Sequence, residues 1–166
     1  MEVKRGGSLN KKKKIMIDLD VITVAEWDKS QQGITARTFI ERVKNKEFNV
    51  FTPYIIFDLI NDWKHISLVK KIKEFYELNS LNIISVLNLE ERINELKFNR
   101  KTLTSDLKLS VIKEENIILV IMSSIFDIDY LVTFNRKHLK NKEVEINEVL
   151  HKYKLKKICI VLPNEI

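Results

Sequence analysis

Glu114-Glu115-Asn116-Ile117-Ile118-Leu119-Val120-Ile121-Met122-Ser123-Ser124 is followed, after a short spacer, by Asp129-Tyr130-Leu131-Val132-Thr133. The first run is apolar and rich in β-branched residues, which by themselves lean toward a buried strand. The second is the cleaner strand. Two parallel buried strands need a crossover of a dozen or more residues, and the spacer between these runs is much shorter. Asn116 to Phe126 is therefore expected to be a buried helix that delivers the chain into a strand. Such a helix-to-strand step belongs to a domain in which strands and helices alternate.

The same alternation extends outward in both directions. Ile15-Met16-Ile17 is a short apolar run ending in Asp18, the pattern of a strand buried on both faces. Val21, Val24 and Ala25 follow at helical spacing, and Phe39, Ile40 and Val43 mark a helix over Thr35 to Lys44. Asn49-Val50-Phe51 reads as a strand, and Thr52-Pro53 as the start of a helix that turns Ile55, Ile56, Leu59, Ile60 and Trp63 inward. Asp58 and Asp62 lie on the other side of that helix. Val69, Ile72, Phe75 and Tyr76 mark the next helix, Leu89, Ile93 and Leu96 another, with a strand at Ile83-Ile84 between them. Asn147 to Tyr153 is expected as a helix capped by Asn147, and Ile158 to Leu162 as a final strand stopped by Pro163. The fold class is α/β, with a central, mainly parallel sheet flanked by helices.

Composition fits one such domain. The chain has 166 residues, 45% of them hydrophobic and 31% charged, with only three Gly and two Pro, which excludes collagen-like and disordered classes. The longest apolar run, Ile117 to Met122, is far too short to span a bilayer, and the N-terminus lacks a signal-like apolar stretch, so a soluble cytoplasmic protein is expected. Cys159 is the only cysteine, which excludes an internal disulfide and a Cys-rich zinc site; inside an apolar run, it reads as core. His65, His138 and His151 show no zinc spacing. Trp27 and Trp63 read as packing or interface anchors. The formal charge of +6 favours an anionic partner, RNA or DNA. Much of that charge lies in residues 1–14, where Lys11, Lys12, Lys13 and Lys14 follow Lys4 and Arg5 with little to bury, so 1–14 is expected to be a mobile basic arm and 15–166 the domain.

Ligands of open α/β sheets gather outside the carboxyl ends of the strands. Asp18 closes the first strand and Asn135 lies just beyond Tyr130 to Thr133. Asp58 sits on a helix after another strand, and Asn116 at the start of the buried helix. Four oxygen-bearing groups from separated segments suit a hard cation such as Mg²⁺ or Mn²⁺.

Three segments together resemble the successive motifs of PIN-domain nucleases: Ile15-Met16-Ile17-Asp18-Leu19-Asp20-Val21, Thr52-Pro53-Tyr54-Ile55-Ile56-Phe57-Asp58, and Asp129 to His138. The resemblance covers Ile15 to Glu165 and is carried by the order of the set. It implies a single PIN-like domain with the activity of a Mg²⁺- or Mn²⁺-dependent endoribonuclease, as in the toxin of VapBC-type toxin–antitoxin pairs. It also implies a homodimer, for which the face carrying Trp63, Ile72 and Phe75 is the expected interface, and an antitoxin partner. The implied catalytic set is Asp18, Asp58, Asn116 and Asn135, with the metal on Asp18, Asp58 and Asn116. The family's third carboxylate is here an amide, Asn116, so Asp20 or Glu115 is expected to support the site. Lys11 to Lys14, Arg136 and Lys137 are expected to contact RNA. The alternative is a PIN-like module that has lost catalysis and binds RNA or a protein. A nucleotide-binding α/β protein ranks last, because no Gly-rich phosphate loop is present.

Overall fold

A computed structural model describes residues 11–110 and 113–166. Five parallel strands form one sheet in the order β3-β2-β1-β4-β5, with β1 (Lys14–Ile17) at the centre, β2 (Asn49–Pro53) and β3 (Ser80–Ile84) on one side, and β4 (Tyr130–Val132) and β5 (Ile160–Val161) on the other. Successive side chains of β1 go to opposite faces, and each face has its own core. Ile15 and Ile17 join the helices α1 (Leu19–Trp27), α2 (Gln31–Lys44), α3 (Ile55–Asn61) and α4 (Ile66–Asn79). Met16 joins α5 (Val86–Leu96), α6 (Arg100–Leu107), α7 (Glu114–Ile125) and α8 (Glu143–Lys152) on the other face. With both faces covered, the central strand has no use for polar residues, hence the unbroken Ile15-Met16-Ile17.

The run that decides the fold is helical: α7 is buried from Asn116 through Ile125, as expected of a helix laid between a sheet and further helices. Several local expectations need correction. Thr52-Pro53 does not open a helix; it completes β2, and the helix starts at Ile55 after Tyr54. β2 pairs with β3 up to Pro53↔Ile84, so the strand's pairing outweighs the start signal of proline. Asn147 is no cap. It lies inside α8, and its side chain brackets the backbone of Ile158, donating to the carbonyl at 2.9 Å and accepting from the N–H at 2.8 Å, so that it anchors the approach to β5. α6, capped by the Asn99 side chain, which accepts from Thr102 N–H at 3.1 Å, is not among the expected elements. Cys159 is exposed, not core. Ile72 and Phe75 are buried in the chain's own core, which removes the expected dimer face.

Lys14 belongs to β1, and the Lys13 carbonyl accepts from Asn49 N–H at 2.9 Å, so the last two lysines of the basic run lie at the amino-terminal end of the central strand. The first ten residues of the expected arm lie outside the described residues. Among the described residues, no helix is long and apolar enough to cross a membrane.

Candidate functional site

Asp18 follows the last residue of β1, and its N–H donates to the Val132 carbonyl at 2.9 Å, which ties it to the neighbouring strand. It occupies the residue before α1, yet its side chain makes no regular capping bond. Instead the carboxylate accepts from the Thr133 hydroxyl at 2.8 Å. The same hydroxyl lies 3.2 Å from the Asp20 carboxylate, which also accepts from the Phe134 N–H. Asn135 N–H donates to the Thr133 oxygen at 2.9 Å. A hydroxyl carries one proton, so Thr133 serves one of the two carboxylates at a time.

Two acids are thus pressed together beneath little water. Asp18 is only 9% exposed. Its pKa is raised, first by burial and further by the Glu115 charge, against the lowering effects of the Thr133 hydroxyl and the nearby N–H groups of Leu19 and Asp20. Asp20 is pushed up to about 7, by burial and then by the Asp18 charge, with Phe134 N–H pulling the other way. Beneath them Tyr76, fully buried, donates its hydroxyl to the Ile17 carbonyl at 3.0 Å, and burial with the two aspartate charges holds its own pKa well up. The tyrosine fixes the end of the strand that presents Asp18. Tyr76→Phe is expected to cost about 1–2 kcal/mol by leaving that carbonyl short of a partner, and urea unfolding measures the loss.

These residues open into a cleft of about 330 Å³ lined by Asp18, Asp20, Glu115, Asn116 and Asn135, with Lys113 and Trp63 beside them. Parallel β1 and β4 bring Asp18 and Asn135 to one edge, while the first turn of α7 brings Glu115 and Asn116 to it. Asn116 is the third residue of α7, buried, and its Nδ2 has no hydrogen-bond partner among the described residues. An orphaned donor of this kind costs about 1–3 kcal/mol. The Asn135 oxygen is already engaged, accepting from His138 N–H at 3.0 Å, so it shapes the turn after β4.

The structure does not bring Asp58 here. It is exposed in the first turn of α3, outside the cleft lining. The cause is local: Ile56 and Ile60 face the core one helical turn apart, and a residue two steps from each is turned about 200° away. Arg136 and Lys137 are exposed on the turn after β4 and do not line the cleft, and Lys11 to Lys14 lie at the opposite edge of the sheet. Sequence reasoning missed Thr133, Tyr76, Trp63 and Lys113. The one available signal was Thr133, a polar residue closing an otherwise buried strand. Lys113 stands 3.8 Å from Glu115 and is the cleft's own basic group.

Carboxylate and amide oxygens suit a hard cation, which would relieve Asp18, raised by burial and the Glu115 charge, and Asp20, raised by burial and the Asp18 charge. Among the described residues, no three His, Cys, Asp or Glu side chains converge closely enough to hold a metal. The cleft therefore offers two carboxylates and the amide of Asn116, and not a carboxylate triad. No family model matches the chain, and no curated protein matches it by sequence.

Proposed function

We propose that this protein is a divalent-metal-dependent endoribonuclease of PIN type. The observation that carries the reading is the pair Asp18, at the carboxyl end of β1, and Asp20, in the first turn of α1, which share one hydroxyl and are raised in pKa first by burial, Asp20 also by the Asp18 charge. Buried acids that repel each other in a cleft are stable only with a proton or a cation between them, and such perturbed groups gather at functional sites. Support also comes from the motif order from Ile15 to Glu165 and from the charge of +6, which favours an anionic substrate.

In this reading Asp18 and Asp20 hold Mg²⁺ or Mn²⁺, with Asn116 and Asn135 bordering the site. A bound ion would lower the pKa of a water and offset charge developing on the phosphodiester, with Asp18 and Asp20 as the residues that would hold it. Lys113 meets a phosphate of the strand, and Trp63 offers an apolar face for a base. The exposed lone thiol of Cys159 fits a reducing, cytoplasmic address. A toxin's place opposite an antitoxin is supported by the motif resemblance.

The experiment is cleavage of an end-labelled single-stranded RNA with Mn²⁺ or with EDTA, by wild type and by Asp18→Asn. Cleavage that needs Mn²⁺ and falls to background in the variant is expected. Cleavage unchanged by EDTA, or retained by Asp18→Asn, overturns the reading. A second reading, a non-catalytic PIN-like module, is favoured by the position of Asp58 outside the cleft. RNA binding with no cleavage under any metal selects it.

A further inference from the structure

The basic run does not serve the acidic cleft. Lys14 opens β1 and Asp18 follows its end, so the two lie a strand's length apart, about 13 Å, on opposite edges of the sheet. At the lysine edge a second concavity of about 410 Å³ is lined by Lys11, Lys12, Lys13, Lys14 and Lys156 together with Asp127 and Asp129. Lys156 arrives from the far end of the sequence, so this is a surface assembled by the fold and not a stretch of tail. Both carboxylates are already engaged. Asp129 accepts from the Lys14 backbone N–H at 2.8 Å, and Asp127 lies between Arg92 at 3.9 Å and Lys156 at 4.0 Å. Two of the lysines are held against rings: Lys13 Nζ lies 5.9 Å from the Tyr130 centroid and Lys14 Nζ 5.6 Å from that of Phe51. Lys11 and Lys12 are exposed, and among the described residues neither has a carboxylate at ion-pair distance.

We propose that this edge is a nucleic-acid exosite, a built surface on which Lys11, Lys12 and Lys156 hold the phosphate backbone of a single-stranded RNA away from the acidic cleft. Its chemistry separates a nucleic acid from an acidic protein. A protein partner is anchored by apolar and aromatic groups in desolvated pockets, and every residue lining this concavity is a lysine or an aspartate. A phosphate backbone needs only point charges in series, which lysines supply without regard to base sequence. Five lysines against two aspartates leave the concavity positively charged, and a bound polyanion relieves the repulsion among the lysines.

The choice of RNA over DNA rests on the proposed function, but the site does not overlap the cleft, so the two fail separately. The test is fluorescence anisotropy of a labelled single-stranded oligouridylate, without divalent cations, across a series of salt concentrations. It compares the full chain with the triple variant Lys11→Gln, Lys12→Gln, Lys156→Gln and with Asp18→Asn, each checked for fold by circular dichroism. Losing three phosphate contacts is expected to weaken binding about tenfold or more and to reduce the slope of log K against log salt by about 2, at about 0.7 per contact on a single strand. Asp18→Asn is expected to keep the wild-type slope. An unchanged slope and affinity in the folded triple variant overturn the exosite. Displacement of the RNA by polyglutamate as readily as by unlabelled oligouridylate overturns its assignment to nucleic acid. Intact RNA binding in Asp18→Asn supports a site separate from the cleft, whatever that variant does to Mn²⁺-dependent cleavage.

Discussion

Asp20→Asn is expected to stabilise the metal-free protein at about pH 8, by up to about 4 kcal/mol, and to give no such gain near pH 3. The sign follows from linkage. The folded-state pKa of Asp20 is raised from 3.8 to about 7 by burial and by the Asp18 charge. Below the lower value the group is protonated in both states and costs nothing. Between the two, the folded protein keeps a proton that the unfolded chain releases, so stability falls as pH rises, and above the higher value the full penalty applies. Each pKa unit is about 1.36 kcal/mol, which sets the ceiling. An Asn in this place still accepts from Phe134 N–H and is never charged, so it escapes the penalty. It gives up about 0.3–1 kcal/mol for an acid in the first turn of α1. Urea unfolding of both proteins across pH reads the difference directly. A variant that is less stable than wild type at every pH shows Asp20 to be a structural bracket for Phe134, with no charge strain in the cleft.

The fold was legible because its strongest signals are the ones tertiary structure preserves. Ile15-Met16-Ile17 is apolar on both faces because the sheet is covered on both, and the short spacer before Asp129 forces α7 to be a helix whatever its β-branched content. The misreadings came from residues whose local preference was overruled. Pro53 sits in a strand because pairing with Ile84 continues through it, and Asn147 sits inside α8 because its side chain is needed by Ile158. Within the site, Asp18, Asn116 and Asn135 were visible as polar residues at the ends of buried elements, and Asp20 and Glu115 as neighbours on the correct edge. Asp58 lay on the polar side of its helix in the sequence as it does in the fold, and only the motif resemblance brought it to the site; what the pattern could not tell is that this side faces away from the cleft. Tyr76 was hidden. Its apolar body fits the helical stripe of α4, and nothing in that stripe tells that the hydroxyl reaches the end of β1.

Asn116→Asp is the second large effect. The substitution hardly changes volume, and it removes the Nδ2 group that has no partner among the described residues. It also adds a negative charge beside Asp18, whose pKa already rises with the charge of Glu115. The metal-free variant is therefore expected to be less stable than wild type at neutral pH and to recover more on adding Mn²⁺. A unit charge about 4 Å from a cation is worth roughly 4 kcal/mol per unit of metal charge at an effective dielectric near 20, before desolvation is subtracted. Even a third of that gives about tenfold tighter Mn²⁺ binding. Thermal shift with graded Mn²⁺ measures both parts. Removing Asp18 in the same background is expected to abolish the gain. No change in metal response would mean that Asn116 does not reach the ion.

The most direct measurement is calorimetric titration of Mn²⁺ into metal-free protein at neutral pH, repeated in two buffers of different ionisation enthalpy. With Asp20 at about 7 and Asp18 also raised, the pair holds protons near neutrality that an arriving cation must displace. Binding is expected at one site, absent in Asp18→Asn, with a heat that differs between the buffers because protons are released. Absence of binding in both proteins, or binding that Asp18→Asn retains with no buffer dependence, would contradict a cation held between these two aspartates.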